Sequence, residues 1–222
     1  MPAPDVPLQV LVLNGSLKHG GDEVSNTEEL ARLVISDMQE QSPTTPLRSE
    51  IVRLADVAID VGLSFRESDS DEWPDIAKKI READIVIFAT PVWWGGRSSL
   101  MQRVIERLDA FDEDAASSGR SALLNKVAGV VITGSEDGAQ ATLAGIMEVL
   151  TFLNFTLPPQ CCAYWVGEVG MPPSDDRAKR LVNESTSHMA KTMARNLMFY
   201  AQLLKQHPLV PEDEADAEKT GK

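Results

Sequence analysis

The chain reads as an α/β protein built on an open parallel sheet of five strands, with helices covering both faces. Short aliphatic and β-branched runs at 8–13, 50–54, 85–91, 127–133 and 161–166 alternate with segments whose apolar residues recur at helical spacing. The first run is nearly unbroken rather than alternating, the pattern of a strand buried on both faces. Polar, glycine-bearing loops follow the first, third and fourth runs, which puts them together at the carboxyl edge of the sheet, where such proteins bind ligands.

Leu8, Val10, Leu11, Val12 and Leu13 form the first strand, expected in the middle of the sheet. Residues 14–27 are Gly, Ser, Asn and charge, after which Leu30, Leu33, Val34 and Met38 mark a helix. The loop therefore ends on a helix N-terminus, whose free amides and dipole favour an anion such as a phosphate. Ser16, Lys18, Ser25, Asn26 and Thr27 can add donors, whereas Asp22 and Glu23 should point away. Ser25 followed by Glu28 also satisfies a capping box, which accounts for that serine without a ligand. Gly21 and Asp22 stand where a Walker A loop needs Lys and then Ser or Thr, and no GxGxxG follows the first strand.

The second strand, at 50–54, is short and expected at the sheet edge. Residues 55–75 are polar and acidic and read as a solvated loop, and a helix follows over 75–82 with Ile76 and Ile80 inward. The third strand delivers PVWWGGRSS before a helix carrying Leu100, Met101, Val104, Ile105 and Leu108. Packing and ligand stacking account equally for either tryptophan alone; Gly95 and Gly96 beside them let backbone approach a flat ligand. The fourth strand ends in TGSEDGAQ and leads into an apolar helix around Leu143, Ile146, Met147, Leu150 and Leu153. After the fifth strand a long helix is expected, with Val182, Met189, Met193, Leu197, Tyr200 and Leu204 as its inward stripe. Residues 1–207 are expected to form one domain, and 208–222 an acidic, disordered tail.

Composition narrows the function. A net charge of −13, from 21 basic and 34 acidic side chains, offers no basic field for nucleic acid or an anionic membrane. No window approaches the roughly 18 consecutive apolar residues of a membrane span, residues 1–7 lack the regions of a signal peptide, and a cytoplasmic protein is expected. Cys161 and Cys162 are adjacent and cannot staple distant segments; buried reduced thiols are expected. His19, His188 and His207 show no metal-ligand spacing, and no metal site is expected. Three rim loops that bring phosphate donors, aromatic and glycine surface, and small polar groups suit a phosphorylated ligand with a flat ring system, a description FMN meets.

The segments LNGSLKHGGDEVSNTEEL, ADIVIFATPVWWGGRSSLMQRVIERLDAF, KVAGVVITGSEDGAQATL and AYWVGE together resemble the flavodoxin-like superfamily, and within it the NAD(P)H-dependent FMN reductase branch. The resemblance implies a flavodoxin-like three-layer sandwich with a five-stranded parallel sheet in the order 2-1-3-4-5. It implies that Ser16, Lys18, Ser25, Asn26 and Thr27 hold the FMN phosphate, that Pro91, Val92, Trp93, Trp94 and Gly95 line the ribityl chain and ring, and that Gly134, Ser135, Glu136, Asp137 and Gly138 close the opposite side. It implies NAD(P)H as co-substrate, a quinone, flavin or other small molecule as electron acceptor, and a homodimer or homotetramer, the apolar helix at 141–153 suggesting the subunit contact. Some relatives carry a cysteine-held iron–sulfur centre; residues 55–75 contain no Cys, so none is expected here. The flavin does the redox chemistry in such a protein and no side chain is required as acid or base, so no catalytic residue is named. Two rivals stand beside this reading: a flavodoxin-type electron shuttle without nicotinamide activity, and a flavin-free relative that binds a ligand or protein.

Overall fold

The computed structural model describes residues 7–21 and 25–210. In chain order the elements are β1 (Leu8–Asn14), α1 (Asn26–Gln41), β2 (Leu47–Arg53), a 3-10 turn (Leu54–Asp56), α2 (Trp73–Glu82), β3 (Ile85–Trp93), β4 (Gly96–Arg97), α3 (Ser99–Arg107), α4 (Asp109–Ser118), β5 (Val127–Gly134), α5 (Ala139–Phe152), β6 (Cys162–Val166), α6 (Pro173–Leu181) and α7 (Glu184–Gln206). Five parallel strands lie in the order β2-β1-β3-β5-β6, the doubly wound order expected, and the two-residue β4 folds back antiparallel on the end of β3.

Period-two alternation in the strands sorts the core into two layers. Leu11, Leu13, Val86, Phe88, Val130 and Ile132 face α2, α3 and α5, whose Ile76, Ile80, Val104, Ile146 and Leu150 pack on them. Leu8, Val10, Val12, Ile85, Ile87 and Val131 face α1 and α7, meeting Leu30, Val34, Met38, Met193 and Leu197. Each such side chain contributes about 1.5–3 kcal/mol on burial, and the doubly covered strands β1, β3 and β5 hold the sheet's centre. Their carboxyl ends carry the three polar loops.

Several sequence expectations are corrected. The second strand starts earlier, at Leu47, and Leu54 begins the 3-10 turn rather than ending the strand. The single long C-terminal helix is two helices. Asn183 caps α7 by accepting from the Thr186 amide at 2.8 Å, so Val182 falls in the joint and is 78% exposed instead of inward. α4 was not anticipated, because its acidic, small-residue sequence carries little apolar stripe. Asn125 exchanges side-chain hydrogen bonds with the Leu209 N–H (2.7 Å) and C=O (3.0 Å), within an otherwise exposed 208–210. The remainder of the acidic tail, 211–222, lies outside the described residues, as do Asp22 and Glu23.

The acidic stretch before α2 is not merely solvated. Asp71 is fully buried and pairs with the buried Arg107 of α3 at 2.7 Å. Its carboxylate also accepts the amides of Glu67 (3.0 Å), Trp73 (3.1 Å) and Asp60 (3.2 Å). Burial works to raise its pKa, yet the Glu67 and Trp73 amides, Arg107 and the Asp60 amide prevail and hold it below the ordinary value. Arg107 and Arg103 also donate to the Asp60 and Ile59 carbonyls, which pins the 57–72 excursion onto α3. Helix α2 begins at Trp73, two residues earlier than the periodicity suggests, because this buried junction fixes its start.

Candidate FMN site

At the carboxyl edge of the sheet lies a cleft of about 510 Å³, within the range of roughly 300–1,000 Å³ usual for ligand pockets. Twelve of the residues expected there form its wall: Ser16, Lys18, Ser25, Asn26 and Thr27 at one end, Pro91, Val92, Trp93 and Trp94 from the end of β3, and Gly134, Ser135 and Glu136 from the end of β5. Gly95, Asp137 and Gly138 are not on the wall. Gly95 and Gly138 support it from behind: a Cβ on Gly138, whose φ is +126°, would lie 2.6 Å from the Gly95 Cα, so the two loops touch backbone to backbone.

The first loop is shaped by α1 and α3 together. Gly15 passes over the N-terminus of α3, where a Cβ would meet Ser98 Oγ at 3.0 Å and Met101 Cβ at 3.1 Å. Ser98 Oγ donates to the Gly15 carbonyl at 2.6 Å and accepts from the Met101 amide at 3.2 Å, capping α3 and fixing the turn at once. Ser25 caps α1, its Oγ accepting from the Glu28 amide at 3.2 Å. Only the serine half of the expected capping box is used. The Glu28 carboxylate turns to Arg53, Arg32 and Asn14, and although burial works to raise its pKa, the two arginines hold it low.

The donor chemistry fits a phosphate. Ser25 Oγ is engaged as an acceptor, and so is Ser16 Oγ, which takes the Lys18 amide at 3.3 Å; each hydroxyl thus keeps its hydrogen to donate to an anion. Thr27 Oγ1 and Thr133 Oγ1 share one hydrogen bond at 2.7 Å, which uses one of their two hydroxyl hydrogens. Asn26 and Thr27 occupy the first turn of α1, where amides have no intrahelical carbonyl. The Asn26 side chain is partly engaged elsewhere. Its Nδ2 donates to Asp176 Oδ2 at 2.9 Å and its Oδ1 accepts from Arg180 at 3.2 Å.

That contact reveals the wall the sequence did not disclose. Glu168, Met171, Pro173 and Asp176, on α6 and the loop before it, close the cleft, with Leu17 and Thr133 as further lining. Asp176 also accepts from Trp165 Nε1 at 2.8 Å, and a Cβ on Gly167 would lie 2.1 Å from Asp176 Oδ1, so a larger residue there would displace that carboxylate. Glu29 of α1 pairs with Arg180 and, at 2.7 Å, with Arg177; burial works to raise the Glu29 pKa, but Arg180 and then Arg177 keep it lowered. The carboxylates of the cleft are all partnered: Glu136 accepts the Trp94 amide at 2.6 Å, and Glu168 pairs with Lys179 at 3.0 Å. A hydroxyl-rich end, glycine-backed flat walls and an aromatic flank together fit a singly phosphorylated flavin.

The chain is similar to several known proteins. The chain is 32% identical over 204 residues to the divalent metal cation transporter MntH of Mycobacterium bovis, a match taking in 89% of this chain and 29% of that protein, so the chain spans under a third of that relative. It is 29% identical over 220 residues to 8-demethyl-8-aminoriboflavin-5′-phosphate synthase of Streptomyces davaonensis, covering 95% of this chain and 84% of that enzyme. Among solved structures, RosB with bound 8-demethyl-8-formylriboflavin-5′-phosphate superposes with a TM-score of 0.77 at 28% identity, over 96% of this chain and 86% of that one. An apo NADH:FMN oxidoreductase, EMOB, shares the fold, with a TM-score of 0.61 at 16% identity over 90% and 92% of the two chains. Matching its model across residues 8–167, the chain belongs to the NADPH-dependent FMN reductase family.

Proposed function

We propose that this chain is a cytoplasmic enzyme that holds FMN in the carboxyl-edge cleft, takes reducing equivalents from NAD(P)H and passes them to a small planar acceptor such as a quinone or free flavin. The observation that carries the reading is the pairing, in one cleft, of undirected serine hydroxyl hydrogens at a helix N-terminus with a glycine-backed aromatic hairpin. When bound, FMN supplies the capacity to accept two electrons and to release them singly or together. The protein's residues bind and orient. Ser16, Ser25 and the first amides of α1 hold the phosphate, with Lys18 adding positive charge, and Pro91, Val92 and Trp93 with Gly134, Ser135 and Glu136 fix the ring plane. The α6 wall keeps water from the buried side. No helix among the described residues is long and apolar enough to cross a membrane.

The enzyme acts as a homodimer or homotetramer in this reading. Support comes from α5, which is apolar along most of its length yet buries only Ala139, Thr142, Ile146 and Leu150 within the subunit. A second reading, in which the flavin is itself the substrate, is favoured by the likeness to RosB and its bound flavin intermediate.

Purified protein incubated with FMN and mixed anaerobically with NADPH should be yellow and bleach within seconds. Yellow protein that stays oxidised supports an electron shuttle, and a chain that cannot take up FMN refutes the assignment. Mass spectrometry of flavin released after turnover separates the two enzymatic readings: unchanged FMN supports the reductase, and an altered ring supports flavin modification.

A further inference from the structure

Trp94 stands at the mouth of the cleft with 92% of its surface exposed, while Trp93 beside it is 50% exposed. Its backbone is far from free. The φ of Trp94 is +50°, a conformation that bulky residues rarely adopt. The Trp94 N–H donates to Glu136 at 2.6 Å, and Gly95 directly after it rests against Gly138. The hairpin is thus anchored at two points to the loop after β5, and the anchorage holds an indole out of the protein. Leu17 on the cleft wall (44% exposed) adds apolar surface from another loop of the same cleft.

We propose that Trp94 is the stacking plate for the second substrate rather than for the flavin, and that its occupant is a planar, electron-poor ring of the nicotinamide or quinonoid class. The proposal rests on the reading that FMN fills the cleft beneath it. An electron-rich indole and an electron-poor ring favour offset stacking. A ring carried on a backbone already fixed loses little freedom when a partner arrives. Leu17 would meet the apolar edge of the same ring system.

The test uses FMN-loaded protein and the variants Trp94→Ala and Trp94→Phe. FMN dissociation constants are read from quenching of flavin fluorescence, and KM is measured separately for NADPH and for menadione. Trp94→Ala is expected to raise KM by about five- to tenfold, the scale of one aromatic stack, with the FMN constant changed less than about twofold on the same scale, and Trp94→Phe is expected to recover most of the loss. An effect confined to NADPH assigns the plate to the donor, one confined to menadione to the acceptor, and one on both to a shared position. Unchanged KM values overturn the proposal, and so does an FMN constant that weakens by the same factor as KM. Wild-type protein that takes no FMN refutes the underlying reading instead and is recognised first, as colourless protein.

Discussion

Replacing Gly138 by Ala tests whether the 91–95 and 134–138 loops act as one wall of the cleft. A Cβ at Gly138 would lie 2.6 Å from the Gly95 Cα and 2.9 Å from its carbonyl carbon and oxygen, all backbone atoms that cannot rotate away. Ordinary contact begins at 3.4 Å, so the hairpin must retreat by about 1 Å, enough to stretch the 2.6 Å bond from the Trp94 N–H to Glu136 past useful length. The φ of +126° adds about 1–3 kcal/mol of backbone strain, and the lost bond to a carboxylate about 1.5–3 kcal/mol. A total near 4 kcal/mol corresponds to a fall in Tm of about 8–16 °C for a domain of this size. Gly95→Ala is the control. Its φ is also positive, +75°, but its Cβ would meet nothing within 4 Å, so it carries only the left-handed cost of about 1–2 kcal/mol. Calorimetry on both variants, with FMN titration, should show Gly138→Ala losing clearly more stability and about tenfold in FMN affinity, the factor that about 1.4 kcal/mol represents. Equal Tm losses in the two variants would refute the reasoning.

Ser25→Asp keeps a good helix cap while placing a negative charge at the phosphate end; FMN affinity should fall by more than about tenfold and riboflavin binding should not move, and an equal loss for both ligands would count against the phosphate assignment. Arg107→Met leaves the buried Asp71 without its cation and should cost about 3–5 kcal/mol, seen as a Tm loss of about 6–20 °C at neutral pH. The pH dependence has a definite sign. The folded pKa of Asp71 is lowered, so its contribution is whole above its unfolded value near 3.9 and is lost as pH falls through the folded value, and the variant should show a shallower acid limb in urea titrations. Burial pushes the Cys161 thiol up to about 11, so iodoacetamide at pH 8 should leave it unlabelled in folded protein and label it on unfolding; labelling at the rate of an exposed cysteine would disprove its burial.

The strands were legible because burial on both faces leaves a local trace: the runs around Val10, Ile87 and Val130 cannot be anything polar. The rim loops were legible for the same reason, since topology alone carries strand ends to one edge. What escaped was whatever depends on partners far along the chain. Nothing near Asn26 in sequence announces that its amide belongs to Asp176, 150 residues away. Nothing in the run ESDSDEW distinguishes the one aspartate that meets Arg107 from its solvated neighbours. The break between α6 and α7 was signalled only by Asn183, a cap residue that an apolar count passes over. Asp176 itself had no stripe, repeat or glycine to mark it.

The α6 wall has a consequence for how firmly the cleft is closed on that side. Its attachment to α1 runs largely through Glu29, Arg177, Arg180 and the Asn26–Asp176 bond, with little grease beneath, since α6 buries only Asp176 and Arg180. The Arg177–Glu29 pair, with Arg177 half exposed, weakens as salt rises, whereas the Arg180–Glu29 pair, nearly withdrawn from solvent, is screened much less. Rising ionic strength therefore loosens the outer tie between α6 and α1 while leaving the inner one in place.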